Sequence, residues 1–233
     1  CQEEELRVKV LLGGCIPPLL LLLKNPSPDA QLASAQTIYA VSQGVTDQVG
    51  CKIFATEGVV PKLWGQLQPQ QNLDLLVEGL ISGALRNLCS NTDGFWPFAL
   101  EAGAFKILGR LLHHGNSLAQ ASASSLLVNL MMATPLSINS VHATGLVEPL
   151  LGLMGNKNDV SVRAEAAGAL KALSFTSNEA RQVMSEAGAI CILMTAVVAP
   201  SKEFMQSEYA QMLQKNAMGA LSNVFCGMST VIS

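Results

Sequence analysis

The side chains with chemistry to offer in this sequence are three histidines, six cysteines and a recurring asparagine. His113 and His114 stand together before Gly115, and His142 is alone. No Cys or carboxylate accompanies them at the spacing of a metal or catalytic set. The pair falls where a helix is expected to end, a place that favours partial positive charge. The cysteines at 1, 15, 51, 89, 191 and 226 form no CxxC pair. Those inside apolar helical patterns read as free, mostly buried thiols of a reducing compartment, and their spacing is not that of a zinc site. GxSxG, HExxH and phosphate-loop motifs are absent, and Gly13-Gly14 has no GxGxxG context. The reading is a non-enzymatic chain without cofactor or metal.

The asparagines are better candidates. Asn87, Asn129 and Asn223 hold the same place in three related segments, ALRNLC (84–89), LLVNLM (126–131) and ALSNVF (220–225). The equivalent segments TIYAVS (37–42) and ALKALS (169–174) carry Ala40 and Ala172 there, so the row is broken twice. Carboxamides repeated along a surface can bond the backbone of an extended peptide with little regard to its sequence. They can equally bond neighbouring helices and hold them in register, and both readings stand. Arg86, Arg163 and Lys171 add charge to the same surface or are simply solvated. Trp64 and Phe95-Trp96-Pro97 are conspicuous in a chain with 5% aromatics, and core packing is the expected role of the tryptophans.

Five helical repeats must position these residues. Gly14, Gly58, Gly103, Gly145 and Gly188 each open an apolar run, at spacings of 44, 45, 42 and 43 residues. That period falls within the about 40–47 residues of armadillo or HEAT units. The segment holding the asparagine lies downstream of each glycine and reads as the end of a third helix. The glycines suit the left-handed residue between a short first helix and the second. Ser27-Pro28, Thr134-Pro135 and Ser177-Asn178 read as helix starts, and Pro17, Pro18 and Pro61 fall in first turns of second helices. Val162, Ala166, Ala169, Leu170 and Leu173 make one apolar helical face. The expectation is an all-α, armadillo-type α-solenoid, a right-handed superhelix of three-helix repeats forming a single array over 1–233. The repeats are about 1–44, 45–90, 91–133, 134–176 and 177–226, with 227–233 the start of a further one. Both ends are apolar, so a fragment of a longer intracellular protein is expected. Unit five is irregular: Gly188 to Asn223 is 35 residues, against 27 from Gly145 to Ala172. The excess falls near Ala199–Tyr209 and should lengthen the turn after the second helix, or the third helix itself, as a contact or a tolerated loop.

Composition agrees. Of 233 residues, 49% are apolar and 13% charged, which excludes a disordered tail. A net charge of −3 with no basic block argues against nucleic acid. The longest apolar run, Val10–Leu23, is 14 residues interrupted by Gly13-Gly14 and Pro17-Pro18, short of the about 20 a membrane span needs. No direct membrane insertion is expected.

The period and the asparagine resemble armadillo-repeat nuclear import adaptors. Those proteins carry a Trp four residues before the asparagine, where this sequence has Gln36, Gly83, Ser125, Gly168 and Gly219. Without that array, binding of basic import signals is not implied. More specifically, ELRVKVLLGGCIPPLLLLLK (5–24), AQTIYAVSQG (35–44), KIFATEGVVPKLW (52–64), VRAEAAGALKALS (162–174) and PSKEFMQSEYAQMLQKNAMGALSNV (200–224) resemble the plant cellulose synthase-interactive proteins, long armadillo-repeat proteins with a C-terminal C2 domain. The resemblance runs along the whole chain, with 91–160 matching mainly in repeat phase. It implies a protein-binding scaffold linking cellulose synthase complexes to cortical microtubules, located in the cytoplasm at the cell cortex. Its partners would be cellulose synthase catalytic subunits and microtubules. Tubulin surfaces are acidic and so, slightly, is this chain, which speaks against bulk charge as the means of a microtubule contact. An armadillo adaptor segment of a ubiquitin ligase, or another peptide-binding armadillo protein, is the alternative.

Overall fold

The computed structural model describes residues 9–43, 48–90, 96–133, 145–155, 157–198 and 207–229. Among them there is no strand. The chain divides into two compact units, Cys1–Ile107 and Leu108–Ser233.

The first unit holds α1 (Ile16–Leu22), α2 (Pro28–Ser42), α3 (Gln48–Thr56), α4 (Val59–Gln66), α5 (Leu75–Cys89) and α6 (Trp96–Glu101). Its long helices α2 and α5 pack side by side. Leu23, Ile38, Phe54, Leu63, Trp64, Ile81 and Leu85 are fully buried in its core. Trp64 thus takes the packing role expected of it, and the side chain of Trp96 lies outside the described residues. The Ser34 hydroxyl donates to the Leu19 carbonyl at 2.6 Å, tying α2 to α1. Gln68 Nε2 donates to the Ala102 carbonyl at 2.8 Å, tying the chain after α4 to the end of α6.

The helix α7 (Ala104–His114) spans the division between the units. The second unit continues with α8 (Ser117–Ala133), α9 (Val147–Leu153), α10 (Val160–Thr176), α11 (Asn178–Glu186), α12 (Ala189–Val198) and α13 (Glu208–Ser229). Here α10 lies against α8 on one side and α13 on the other. Val162, Ala166, Ala169, Leu170 and Leu173 are all buried, as their spacing predicts, and Ala164, Ala167 and Ala172 are buried with them. Burial on both sides is possible because the α10 face is largely alanine, which lets helix axes approach closely. The helix α13 runs for 22 residues, against 17 for α8 and α10. Part of the excess in unit five therefore goes into the third helix, and Gln214 Nε2 fastens it to the Val197 carbonyl at 3.1 Å. Residues 227–229 belong to α13, and 230–233 lie outside the described residues. Met218 and Phe225 on this helix are 55% and 48% exposed, although Ala167 and Ser174, which hold the equivalent places in α10, are buried.

Helix termini follow the sequence in most places. Gly58 has φ 59°, and Gly14, Gly103 and Gly188 each have φ 72°, a backbone state that costs other residues about 1 kcal/mol. Gly145 departs from the expectation. It is helical, and Leu146 makes the bend one residue later at φ −94°, so no left-handed residue is needed. Ser177 caps α11 by accepting from the Ala180 amide at 3.1 Å, while it donates to Glu179 Oε2 at 3.0 Å. The Glu179 carboxyl is held below its ordinary range, first by a backbone hydrogen bond and then by Ser177. Ser27 starts α2 without a side-chain cap, and Thr134-Pro135 lies outside the described residues. Asp74 and Asn116 cap α5 and α8, accepting from Leu76 and Ala119 at 2.7 and 2.9 Å. His113 and His114 stand in the last turn of α7, as expected, and are exposed, their rings 5.8 Å apart.

Replacing Ser177 with alanine removes the α11 cap and should lower stability by about 1 kcal/mol in denaturant unfolding. Burial pushes the Cys89 thiol up to about 12, whereas Cys191 and Cys226 are exposed. Alkylation of the folded chain at mildly alkaline pH, mapped by peptide mass spectrometry, should therefore modify Cys191 and Cys226 and reach Cys89 only after unfolding.

Candidate functional site: the asparagine positions of the third helices

The helices α2, α5, α8, α10 and α13 carry the recurring segments, and Asn87 and Asn223 each donate a hydrogen bond to the preceding third helix. In the first unit, Asn87 Nδ2 donates to Ser42 Oγ at 3.0 Å, and Ser42 Oγ donates in turn to the Tyr39 carbonyl at 2.7 Å. The second unit repeats the arrangement. Asn223 Nδ2 donates to Ser174 Oγ at 3.1 Å, and Ser174 Oγ donates to the Lys171 carbonyl at 2.9 Å. Asn223 Nδ2 also lies 3.2 Å from that carbonyl. Those two acceptors lie 2.9 Å apart, so one amide hydrogen directed between them can serve both.

This geometry joins the two readings of the asparagines. One N–H of Asn87 and one of Asn223 is used to fix the side chain against the previous helix. Each carboxamide keeps its other N–H and its carbonyl oxygen, one donor and one acceptor. Both are half-buried, so each amide retains a surface open to solvent. Asn129, also half-buried, makes no side-chain hydrogen bond among the described residues. Its counterpart of Ser42 and Ser174 in the preceding repeat is Cys89, a buried thiol and a poor acceptor.

The cations divide. Arg163 Nε donates to the Met154 carbonyl at 3.2 Å, tying the start of α10 to the turn after α9, and burial pulls its guanidinium below the ordinary arginine value. Arg86 and Lys171 sit just before the asparagine position of α5 and α10, both half-buried. Neither side chain has a carboxylate partner among the described residues.

The positions four residues before the asparagine, where import adaptors place tryptophan, are used differently here. A Cβ on Gly83 would fall 2.7 Å from Tyr39 Cε2, and one on Gly219 would fall 2.8 Å from Lys171 Cδ and 2.9 Å from Cε. The tyrosine ring and the lysine stem therefore lie directly on bare glycine backbone of the next third helix. Gly168 is covered by Asn216, whose Nδ2 donates to the Ala164 carbonyl at 3.2 Å. Ser42, Ser174, Tyr39 and Asn216 were not singled out from sequence. A serine two residues after the asparagine position, followed one repeat later by Asn, is the signal that would have found the first two.

No protein-family model matches the chain. A designed armadillo repeat protein superposes with a TM-score of 0.70 at 22% identity, covering 95% of this chain and 87% of its own. A second, solved in complex with the peptide (KR)4, gives 0.68 at 23% identity, covering 95% and 86%. The fold is thus an all-α solenoid of armadillo type. Two curated relatives from Arabidopsis thaliana, CELLULOSE SYNTHASE INTERACTIVE 3 and CELLULOSE SYNTHASE INTERACTIVE 2, are 49% and 46% identical over the entire chain. The chain spans 11% of the length of each. The chain is thus similar over its whole length to a segment of the cellulose synthase interactive proteins, and it folds as armadillo-type repeats.

Proposed function

We propose that the chain is a non-catalytic, protein-binding segment of a scaffold that links cellulose synthase complexes to cortical microtubules in the cytoplasm at the cell cortex. The observation that carries the binding role is the tethered asparagine, present in the same form in both units. A carboxamide held by one N–H, with its second N–H and its oxygen open, matches the alternating acceptor and donor of an extended peptide backbone. Tethering lowers the side-chain entropy lost on binding, which favours capture by a shallow surface. The names of the relatives support cellulose synthase as the partner, and this reading assigns its cytosolic region to these third helices. Microtubule attachment, whether by this segment or elsewhere in such a protein, is the other half of the linker.

Unfolding, retention and cosedimentation test the reading. Asn87→Ala and Asn223→Ala should each lower stability by about 1 kcal/mol in urea unfolding, because each removes a tie between helices. Asn129→Ala should stay within about 0.5 kcal/mol. The three together, in a chain that still folds, should abolish retention by the immobilised cytosolic region of cellulose synthase; undiminished retention overturns the groove assignment. Cosedimentation with polymerised tubulin at low and high salt reports the second partner, and binding there that persists at high salt would exclude a charge-driven contact.

A further inference from the structure

The two repeats that lack the asparagine share a second property. Ala40 and Ala172 are each preceded by the residue laid across a glycine of the next third helix, Tyr39 on Gly83 and Lys171 on Gly219. In the second unit the missing amide is thus replaced, one residue away, by a cation. Its position is fixed at both ends. The Lys171 carbonyl accepts from Ser174 Oγ and Asn223 Nδ2, and the Lys171 methylenes rest on Gly219. The ammonium at the end of that stem has no carboxylate partner among the described residues. Arg86 holds the same place in α5 and likewise has none. A chain of net charge −3 therefore carries a cation beside the asparagine position in each unit, neither bonded to a carboxylate among the described residues.

Resting on the peptide-capture reading above, we infer that the second unit selects extended segments carrying Glu or Asp, with one carboxylate paired to Lys171 over Gly219 and the adjoining backbone bonded to Asn223. The complementarity is of charge and of shape. The glycine removes the side chain that would otherwise fill the site, and the half-buried stem holds the ammonium at a fixed place, where a charge-assisted bond is stronger than at an open surface. A basic segment is repelled at the same point.

The test is fluorescence anisotropy of the full chain with labelled peptides of alternating Glu-Ser, Gln-Ser and Lys-Ser. The Glu-Ser peptide should bind about fivefold more tightly than Gln-Ser at low salt, and Lys-Ser more weakly than either. Lys171→Met keeps the stem on Gly219 and should erase the Glu-over-Gln preference without changing the thermal midpoint. Lys171→Glu should turn the preference toward Lys-Ser. Gly219→Ala, which pushes the stem aside while keeping the charge, should reduce the preference. Equal affinity of the parent chain for Glu-Ser and Gln-Ser, or a preference that survives Lys171→Met, overturns this inference and leaves peptide capture standing. Failure of all three peptides to bind removes peptide capture itself, and this inference with it.

Discussion

The second unit depends on α10 being buried from both sides. Its alanines at 164, 166, 167, 169 and 172 are small enough to admit α8 and α13 close to its backbone. Close approach then brings an asparagine of one third helix within reach of a serine on the one before it. A bulkier residue at any of these alanines would force the axes apart at a cost of about 1–3 kcal/mol, and would lengthen the Asn223–Ser174 bond at the same time. Packing and site are one constraint here, because the groups that tie the helices together are also those that face outward.

This double use fixes the asparagine side chain without exhausting its hydrogen-bonding groups. An amide free to rotate would lose that freedom when a peptide arrived. An amide already bonded through one hydrogen has lost it on folding, when helix packing supplies the driving force. The relay through Ser42 or Ser174 to the carbonyl three residues earlier repeats in both units with nearly the same distances. Asn129 makes no such bond among the described residues.

Much of the architecture is legible in the sequence because it rests on local rules. A glycine every 42 to 45 residues marks a helix junction, and four of the five adopt the left-handed backbone that only glycine takes readily. Gly145 shows the limit of that rule, since glycine permits the conformation without requiring it. The site was legible in part. The asparagine row stands out as a repeat, but its bonds join residues 45 and 49 positions apart, and no window along one helix contains both partners. Arg163 shows the same difficulty: its sequence neighbourhood suits a groove cation, and only the fold reveals the Met154 carbonyl beside its Nε. The glycines at 83 and 219 read from sequence as losses of tryptophan. In the structure they are the places where a neighbour's side chain is received.

That last feature bears on how such an array can change over time. Because Tyr39 rests on Gly83 and Lys171 on Gly219, each of these contacts is divided between two successive repeats. A repeat duplicated, deleted or transplanted as a block carries the lysine away from its glycine, or the glycine away from its lysine. Modular shuffling would therefore preserve helix stacking and scramble these contacts between repeats.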